Sequence, residues 1–402
     1  MPRTDTAPPR RRRLRRLVLA ALVAVAVFHA AGGWYFANEI ERRALDGAAR
    51  RASTRPDPTI EVLAVDEDPL VPGGGGTITL RLPSDSEALL ARGVWGLRWE
   101  DGYGQVAGIV TRDGASVTRA FLLVRGGPPE PGELVELDLR AWPDAEAAGL
   151  PVRDVEVPGP LGTYPAWFVP GRGSTWAIVV HGNSMVRTDG IRLLTVFARA
   201  GLPALAITYR NDVGAPADPS DRLAYGLTEW ADLQAAVRYA LAKGARSIVL
   251  AGYSMGGGII MAFLQRSELA DRVRAVVLDA PMLDLSATVD DNATRERLPV
   301  VGLPLPPSIT WAAKTLAGWR FGVDWERLDY LADVSAYRGR RFLVLHGTRD
   351  ETVPIATSER LRGLLPEQVR LVRCPGAGHI ECWNLDPEAY AAEVLAFLRR
   401  EA

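Results

Sequence analysis

The chain has 402 residues, 48% apolar and 24% charged, which excludes wholesale disorder and, at roughly 150 residues per domain, suggests about two to three domains. Two cysteines exclude both a disulfide-dense scaffold and a cysteine-built zinc module. A formal net charge of −1 offers no global basic footprint for nucleic acid, so no nucleic-acid partner is expected.

Near-neutrality hides an asymmetry. Residues 1–16 hold seven arginines and one aspartate, which leaves 40 basic against 47 acidic residues in the remainder. Residues 17–37 then run without a formal charge. As a helix they would span about 30 Å, the hydrocarbon thickness of a bilayer. Trp34 and Tyr35 stand at the far end, where interfacial aromatics belong. The expected arrangement is a cytoplasmic basic terminus (1–16), a transmembrane anchor (17–37) and an extracytoplasmic remainder. Arg42, Arg43, Arg50 and Arg51 make the outer flank basic too, and Ala24, Ala26, Ala30 and Ala31 could suit a signal peptidase. A secreted, cleaved form is therefore the alternative. His29 lies inside the run with no visible partner and is assigned no function.

Residues 38–57 are polar, end in Pro56 and Pro58, and read as a linker. Residues 58–145 read as a small all-β domain with strands at 59–65, 77–82, 93–100, 105–111, 115–124 and 133–142. Pro72 to Gly76 marks a loop, and Arg112-Asp113-Gly114 a hairpin. Trp95, Trp99 and Tyr103 are expected as packing residues, with a ligand platform as the alternative.

After Leu150 the pattern changes. Apolar runs at 177–180, 204–208, 247–251, 275–278, 342–345 and 369–372 alternate with helical stretches at 190–200, 228–242, 256–266 and 387–400. This predicts an α/β domain over 150–402, a mostly parallel sheet covered on both faces. Residues 152–157 and 164–169 read as an antiparallel opening hairpin. The stretch 284–337 is longer than a plain crossover and carries Trp311, Trp319, Phe321 and Trp325. It is either a lid or an excursion packed on the sheet.

The chemistry concentrates in Gly252-Tyr253-Ser254-Met255-Gly256, placed between an expected strand and an expected helix. That setting suits a nucleophile raised on a strained turn, with glycines relieving the crowding around it. A serine needs a base, and His379 follows the last expected strand. His181 and His346 end earlier strands, and His346 is expected to support its own loop. The base needs an orienting carboxylate. Asp350 is the first candidate, with Glu351 and Asp279 as alternatives. The oxyanion would be held by the backbone N–H of Met255 and one from His181-Gly182-Asn183-Ser184, with Asn183 preferred and Ser184 next.

These motifs resemble the α/β-hydrolase superfamily over residues 150–402. The resemblance rests on His181-Gly182-Asn183, Gly252-Tyr253-Ser254-Met255-Gly256, His346-Gly347 to Asp350, and Gly378-His379. It is most similar to the serine-aminopeptidase-like and prolyl-oligopeptidase-like branch, which includes membrane-bound lipases. The resemblance implies a cofactor-free serine hydrolase acting on an ester, thioester or amide through a Ser254 acyl-enzyme. Acyltransfer with the same triad, peptidase activity and a non-catalytic binding protein are the other functions weighed. A lid at 284–337 is likewise implied. The expected partners are a small-molecule, lipid or peptide acyl substrate and, through the N-terminal helix, a membrane. The turn Tyr209-Arg210-Asn211-Asp212 departs from the R-G-x-G of many relatives, which leaves the local pocket wall open.

Cys374 and Cys382 bracket His379. A disulfide, two separate thiols, and a zinc site with His379 are the three readings, the first requiring an oxidising compartment.

Overall fold

The structure, a computed structural model, describes residues 9–47, 58–67, 75–81, 87–90, 92–299 and 301–401. Half of the expected linker (48–57), the start of the loop at 72–74, residue 82 and residues 1–8 lie outside these. The principal helices are α1 (Pro9–Ile40), α2 (Ile191–Arg199), α3 (Trp230–Ala242), α4 (Met255–Arg266), α5 (Leu285–Arg295), α6 (Pro307–Phe321), α7 (Ile355–Leu364) and α8 (Pro387–Glu401). Two compact units form. One joins residues 1–46 to 289–326, and the other joins 47–288 to 327–402.

In the first unit, α1 is long and apolar enough to cross a membrane. It runs past the expected end at 37 and closes in a π-helical turn, Glu41–Leu45. Glu39 explains the extension, because its carboxylate pairs with Arg42 at 2.6 Å and Arg43 at 2.9 Å, one turn ahead. The first part of the expected linker is therefore helical. α1 packs along α6: a Cβ on Gly32 would lie 3.0 Å from Ile309 Cδ1, and one on Gly33 2.9 Å from Ala312 Cβ. Small residues permit this approach. Phe36, Leu305, Ile309 and Ala313 form the buried cluster between the two helices. His29 does have partners. Its Nδ1–H donates to Val25 O at 2.8 Å, and its Nε2 accepts from the Ser308 hydroxyl at 2.9 Å.

The second unit begins with a closed barrel in the order β1-β2-β5-β4-β3-β6. Its strands are β1 (Ile60–Glu67), β2 (Gly75–Arg81), β3 (Trp95–Trp99), β4 (Gly102–Asp113), β5 (Ser116–Arg125) and β6 (Leu134–Asp138). Closure follows from the antiparallel pairing of β1 with β6, which removes both edges of the sheet. Trp95, Trp99 and Tyr103 are buried, as packing residues should be. Arg119 is buried with them, and burial lowers its pKa to about 10. Its guanidinium donates to the carbonyls of Ala107, Leu89 and Gly93.

The remaining strands are β7 (Arg153–Gly159), β8 (Gly162–Val169), β9 (Thr175–Val180), β10 (Ala204–Ile207), β11 (Ser247–Tyr253), β12 (Val273–Asp279), β13 (Arg341–Gly347) and β14 (Val369–Cys374). They form one sheet in the order β14-β13-β12-β11-β9-β10-β8-β7. The β7–β8 hairpin and the β8–β10 pair are antiparallel, and the others are parallel. β9, β10 and the central part of β11 are buried residue after residue, so both faces are covered. On one face α2 and α8 supply Leu194, Phe197, Val394 and Phe397 to a buried core cluster.

Candidate active site

β11 ends in the turn that carries Ser254. The serine has φ 47° and ψ −118°, a strained conformation for a residue with a Cβ. Its N–H is held by Asp279 O at 3.0 Å, and its carbonyl receives the N–H groups of Gly257 and Met282, both at 2.9 Å. The turn is too tight for side chains beside it. A Cβ on Gly256 would fall 2.2 Å from Val180 O, and one on Gly252 2.8 Å from the Gly256 carbonyl carbon. α4 starts at Met255, so the Met255 N–H belongs to the first turn, where amides lack intrahelical partners.

β13 and β14 run parallel to β11 in the same sheet. The loops after them carry the other two residues. His379 Nδ1 donates to Asp350 Oδ2 at 2.7 Å. Asp350 Oδ1 also accepts the N–H groups of Thr352 (2.9 Å) and Val353 (2.8 Å). His346 lies buried beneath, with Nε2 near Val353 O at 3.0 Å and Asp350 Oδ2 at 3.2 Å. Facing a carbonyl, Nε2 carries the hydrogen, which leaves Nδ1 to accept from the Ser358 hydroxyl at 2.8 Å. Burial alone would raise the Asp350 pKa. The hydrogen bonds from His346, His379 and the Val353 amide overcome it and hold the carboxyl well below its ordinary value.

The alternative acids sit differently. Glu351 is exposed. Asp279 is fully buried at the end of β12, where burial pushes its pKa up to about 6 against the opposing Arg192 charge and Tyr390 hydroxyl. Neither is the hydrogen-bonded partner of His379 among the described residues. No hydrogen bond joins Ser254 to His379 among them either.

The loop 181–184 runs beside Ser254, since a Cβ on Gly182 would lie 3.0 Å from Ser254 Cβ. Ser184 is left-handed (φ 56°), and the Asn183 side-chain amide reaches the Tyr225 hydroxyl at 3.4 Å. This loop is braced by the turn after β10. Tyr209 donates its hydroxyl to the carbonyls of His181 (3.2 Å) and Gly182 (3.1 Å). Asp212 holds His181 Nε2 at 2.8 Å, and Arg210 pairs with Asp232 and Asp218. The departure from R-G-x-G is accommodated by Asn211, which takes the left-handed conformation itself (φ 69°). Asparagine tolerates that region better than most residues.

Cys374 and Cys382 are joined in a disulfide with Cα atoms 5.5 Å apart. It closes the loop that presents His379. Both sulfurs are committed to it, so neither is a thiolate available to zinc.

Two positioning groups escaped sequence reading. Arg192, buried in α2, donates to Ile380 O at 3.0 Å and to Asn384 Oδ1 at 2.7 Å. Asn384 in turn ties the His379 segment to the barrel. Its side-chain amide donates to Val94 O (2.8 Å) and Leu139 O (2.9 Å), and its carbonyl accepts the Val94 N–H at 2.7 Å. Gly93 (φ 115°) makes room, since a Cβ there would lie 1.9 Å from Asn384 O. Trp142 packs on Trp383 with ring centroids 5.4 Å apart. The one available signal was an arginine inside the apolar helix 190–200, a residue rarely buried without a partner.

A mostly parallel sheet bearing a strained serine at a strand–helix turn, with an acid–histidine pair in later loops, defines an α/β-hydrolase. The chain belongs to the alpha/beta hydrolase family, whose model matches residues 168–393. The barrel matches a domain of unknown function (DUF8805) over residues 61–138. The chain is 25% identical over 227 residues to the uncharacterized protein YfhR of Escherichia coli, in strains O157:H7 and K12, covering 54% of this chain and 69% of that protein. Among solved structures, the Pyrococcus furiosus esterase Pf2001 is similar in fold, with a TM-score of 0.50 and 18% identity over 65% of this chain and 96% of that one.

Proposed function

We propose that the protein is a membrane-anchored serine hydrolase that cleaves an ester, thioester or amide through an acyl-enzyme on Ser254. The observation that carries this reading is the left-handed Ser254 at the end of β11, with the Asp350–His379 pair in the loops after β13 and β14. The esterase name of the Pyrococcus furiosus structure is consistent with an ester substrate.

In this mechanism His379 Nε2 takes the Ser254 hydroxyl proton as Oγ attacks the acyl carbon. Asp350 holds Nδ1–H and stabilises the imidazolium that forms. The Met255 and Asn183 N–H groups bind the oxyanion, a contribution of several kcal/mol. His379 then protonates the leaving group. It next activates water, which releases the acid and restores Ser254.

The arginine-rich terminus stays cytoplasmic and α1 spans the membrane, which puts the hydrolase outside. The Cys374–Cys382 bridge suits that oxidising location. A fluorophosphonate probe tests the central reading. It should label the full chain, and Ser254→Ala should abolish both labelling and ester turnover. Labelling that persists in that variant removes Ser254 from the nucleophile role.

A further inference from the structure

The first unit carries an apolar surface that the hydrolase chemistry does not use. Helix α6 turns Ile309, Ala313 and Ala317 inward, where all three are buried. Its outer face presents Pro307, Trp311, Thr315 and Trp319, four residues apart and without a charge. Trp311 is 70% exposed and Trp319 79% exposed. The loop before the helix adds Val301 and Leu303, also exposed. Two open tryptophans on one uncharged stripe are costly in water, so this surface has an occupant.

The helix beneath shows which. α6 lies beside the distal part of α1, with Ser308 at His29, Ile309 at Gly32 and Ala312 at Gly33. Arg320 stacks on the Trp34 ring at 3.7 Å and donates to Asn38 at 2.8 Å. The two helices therefore progress in the same direction. Trp311 stands near the level of residues 32–33, and Trp319 near the level of residues 34–38. If 17–37 crosses the hydrocarbon, residues 32–33 lie about 6–8 Å inside its outer limit. That depth borders the interfacial zone, which tryptophan prefers. The charges of α6 conform. Lys314 is paired with Asp290 at 2.7 Å, and Arg320 sits at the level of Asn38, where a guanidinium reaches headgroups.

We infer that α6 and the loop before it form an interfacial membrane element, with the outer leaflet of a phospholipid bilayer covering Val301, Leu303, Trp311 and Trp319. This rests on the reading of α1 as a membrane span. The insertion then enters the bilayer boundary as a second attachment beside the anchor.

The test uses the full chain, with its disulfide intact, in phosphatidylcholine–phosphatidylglycerol vesicles. A single cysteine is introduced by Trp311→Cys, Trp319→Cys or Val23→Cys and labelled with a polarity-sensitive fluorophore. Lipids carrying a nitroxide at a shallow or a deep acyl position serve as quenchers. The labels at 311 and 319 should shift their emission to the blue and lose most of it to the shallow quencher. The label at 23 should respond to the deep quencher. Quenching at 23 without quenching at 311 and 319 overturns the proposal and leaves the anchor intact. A second copy covering the stripe would appear as this outcome. No quenching at 23 removes the anchor and the proposal together. Should the cysteine variants fold poorly, brominated lipids can quench the intrinsic tryptophans. The share quenched in Trp311→Leu/Trp319→Leu should then fall below that of the unsubstituted chain, and an unchanged share overturns the proposal.

Discussion

Val94 and Asn384 exchange hydrogen bonds across the junction of barrel and hydrolase: the Val94 amide donates to the Asn384 carbonyl, and the Asn384 side chain donates to the Val94 carbonyl. Asn384 stands five residues beyond His379. The barrel therefore acts, on our reading, as a buttress for the catalytic base. Its matching family carries no stated function, and this is a role that its geometry supports.

Asn384→Ala should unseat that segment. The change strips partners from Arg192, Val94 and Leu139 in a buried setting, a cost of about 2–4 kcal/mol. Because small misplacements of a base are expensive, turnover should fall by roughly ten- to a hundredfold. Denaturant melts beside ester kinetics measure both. Unchanged turnover in a folded variant would show that the barrel does not position His379.

Asp350→Asn should lower turnover by about 10⁴-fold, because the imidazole loses the acceptor that fixes its tautomer. Glu351→Gln, at an exposed position, should leave turnover near the unsubstituted value. Steady-state kinetics on an ester would decide it, and the reverse ranking would transfer the acid role.

Acid should act on stability through carboxyls shifted in opposite directions, Asp350 and Asp279 among them. The folded-state pKa of Asp350 is lowered, so its contribution is complete above its ordinary value near 4 and is lost as pH falls below that. The folded-state pKa of Asp279 is raised to about 6, so the folded state holds that proton more tightly than the unfolded chain. Stability should decline as pH rises from about 4 to about 6, where that group titrates. Asp279→Asn should flatten the decline in this window while leaving the acid limb intact. Urea titrations at successive pH values read both slopes, and an unaltered slope between 4 and 6 would contradict the assignment.

The bridge should be found by mass spectrometry of a non-reduced tryptic digest of protein from its native compartment. Cys374→Ser with Cys382→Ser should lower stability by about 2–3 kcal/mol and reduce turnover, while Ser254 still reacts with a fluorophosphonate. Free, alkylatable thiols in native material would show that the base loop is not closed in this way.

Sequence reading reached the hydrolase because its signals are contiguous. The apolar runs that became β9 to β13 each fill one buried strand, the run at 369–372 became the part-buried edge strand β14, and the Gly252–Gly256 pattern declares its own turn. The Asp350–His379 contact was approachable because the order of motifs along the chain orders the loops along the sheet. What stayed hidden joins residues far apart. Ser308 meets His29 across 279 positions, and Asn384 meets Val94 across 290. No periodicity encodes such pairs, so His29 looked partnerless and the insertion could be read either as a lid or as an excursion packed on the sheet. The extension of α1 past residue 37 was hidden differently. Polar residues suggested a linker, whereas Glu39, Arg42 and Arg43 are spaced to pair along a helix.

The close approach of Gly93 to the Asn384 carbonyl bears on ancestry. Any side chain at 93 would collide with residue 384, and the amide at 384 is matched to the carbonyls of Val94 and Leu139, which flank the paired strands β3 and β6. Neither site can drift alone. A descendant that shed the barrel would keep a sound Ser254 elbow but strand the amide hydrogens of Asn384. Glycine at 93 and asparagine at 384 should therefore be inherited and lost together, which makes the pair a marker of lineages that still couple the two modules.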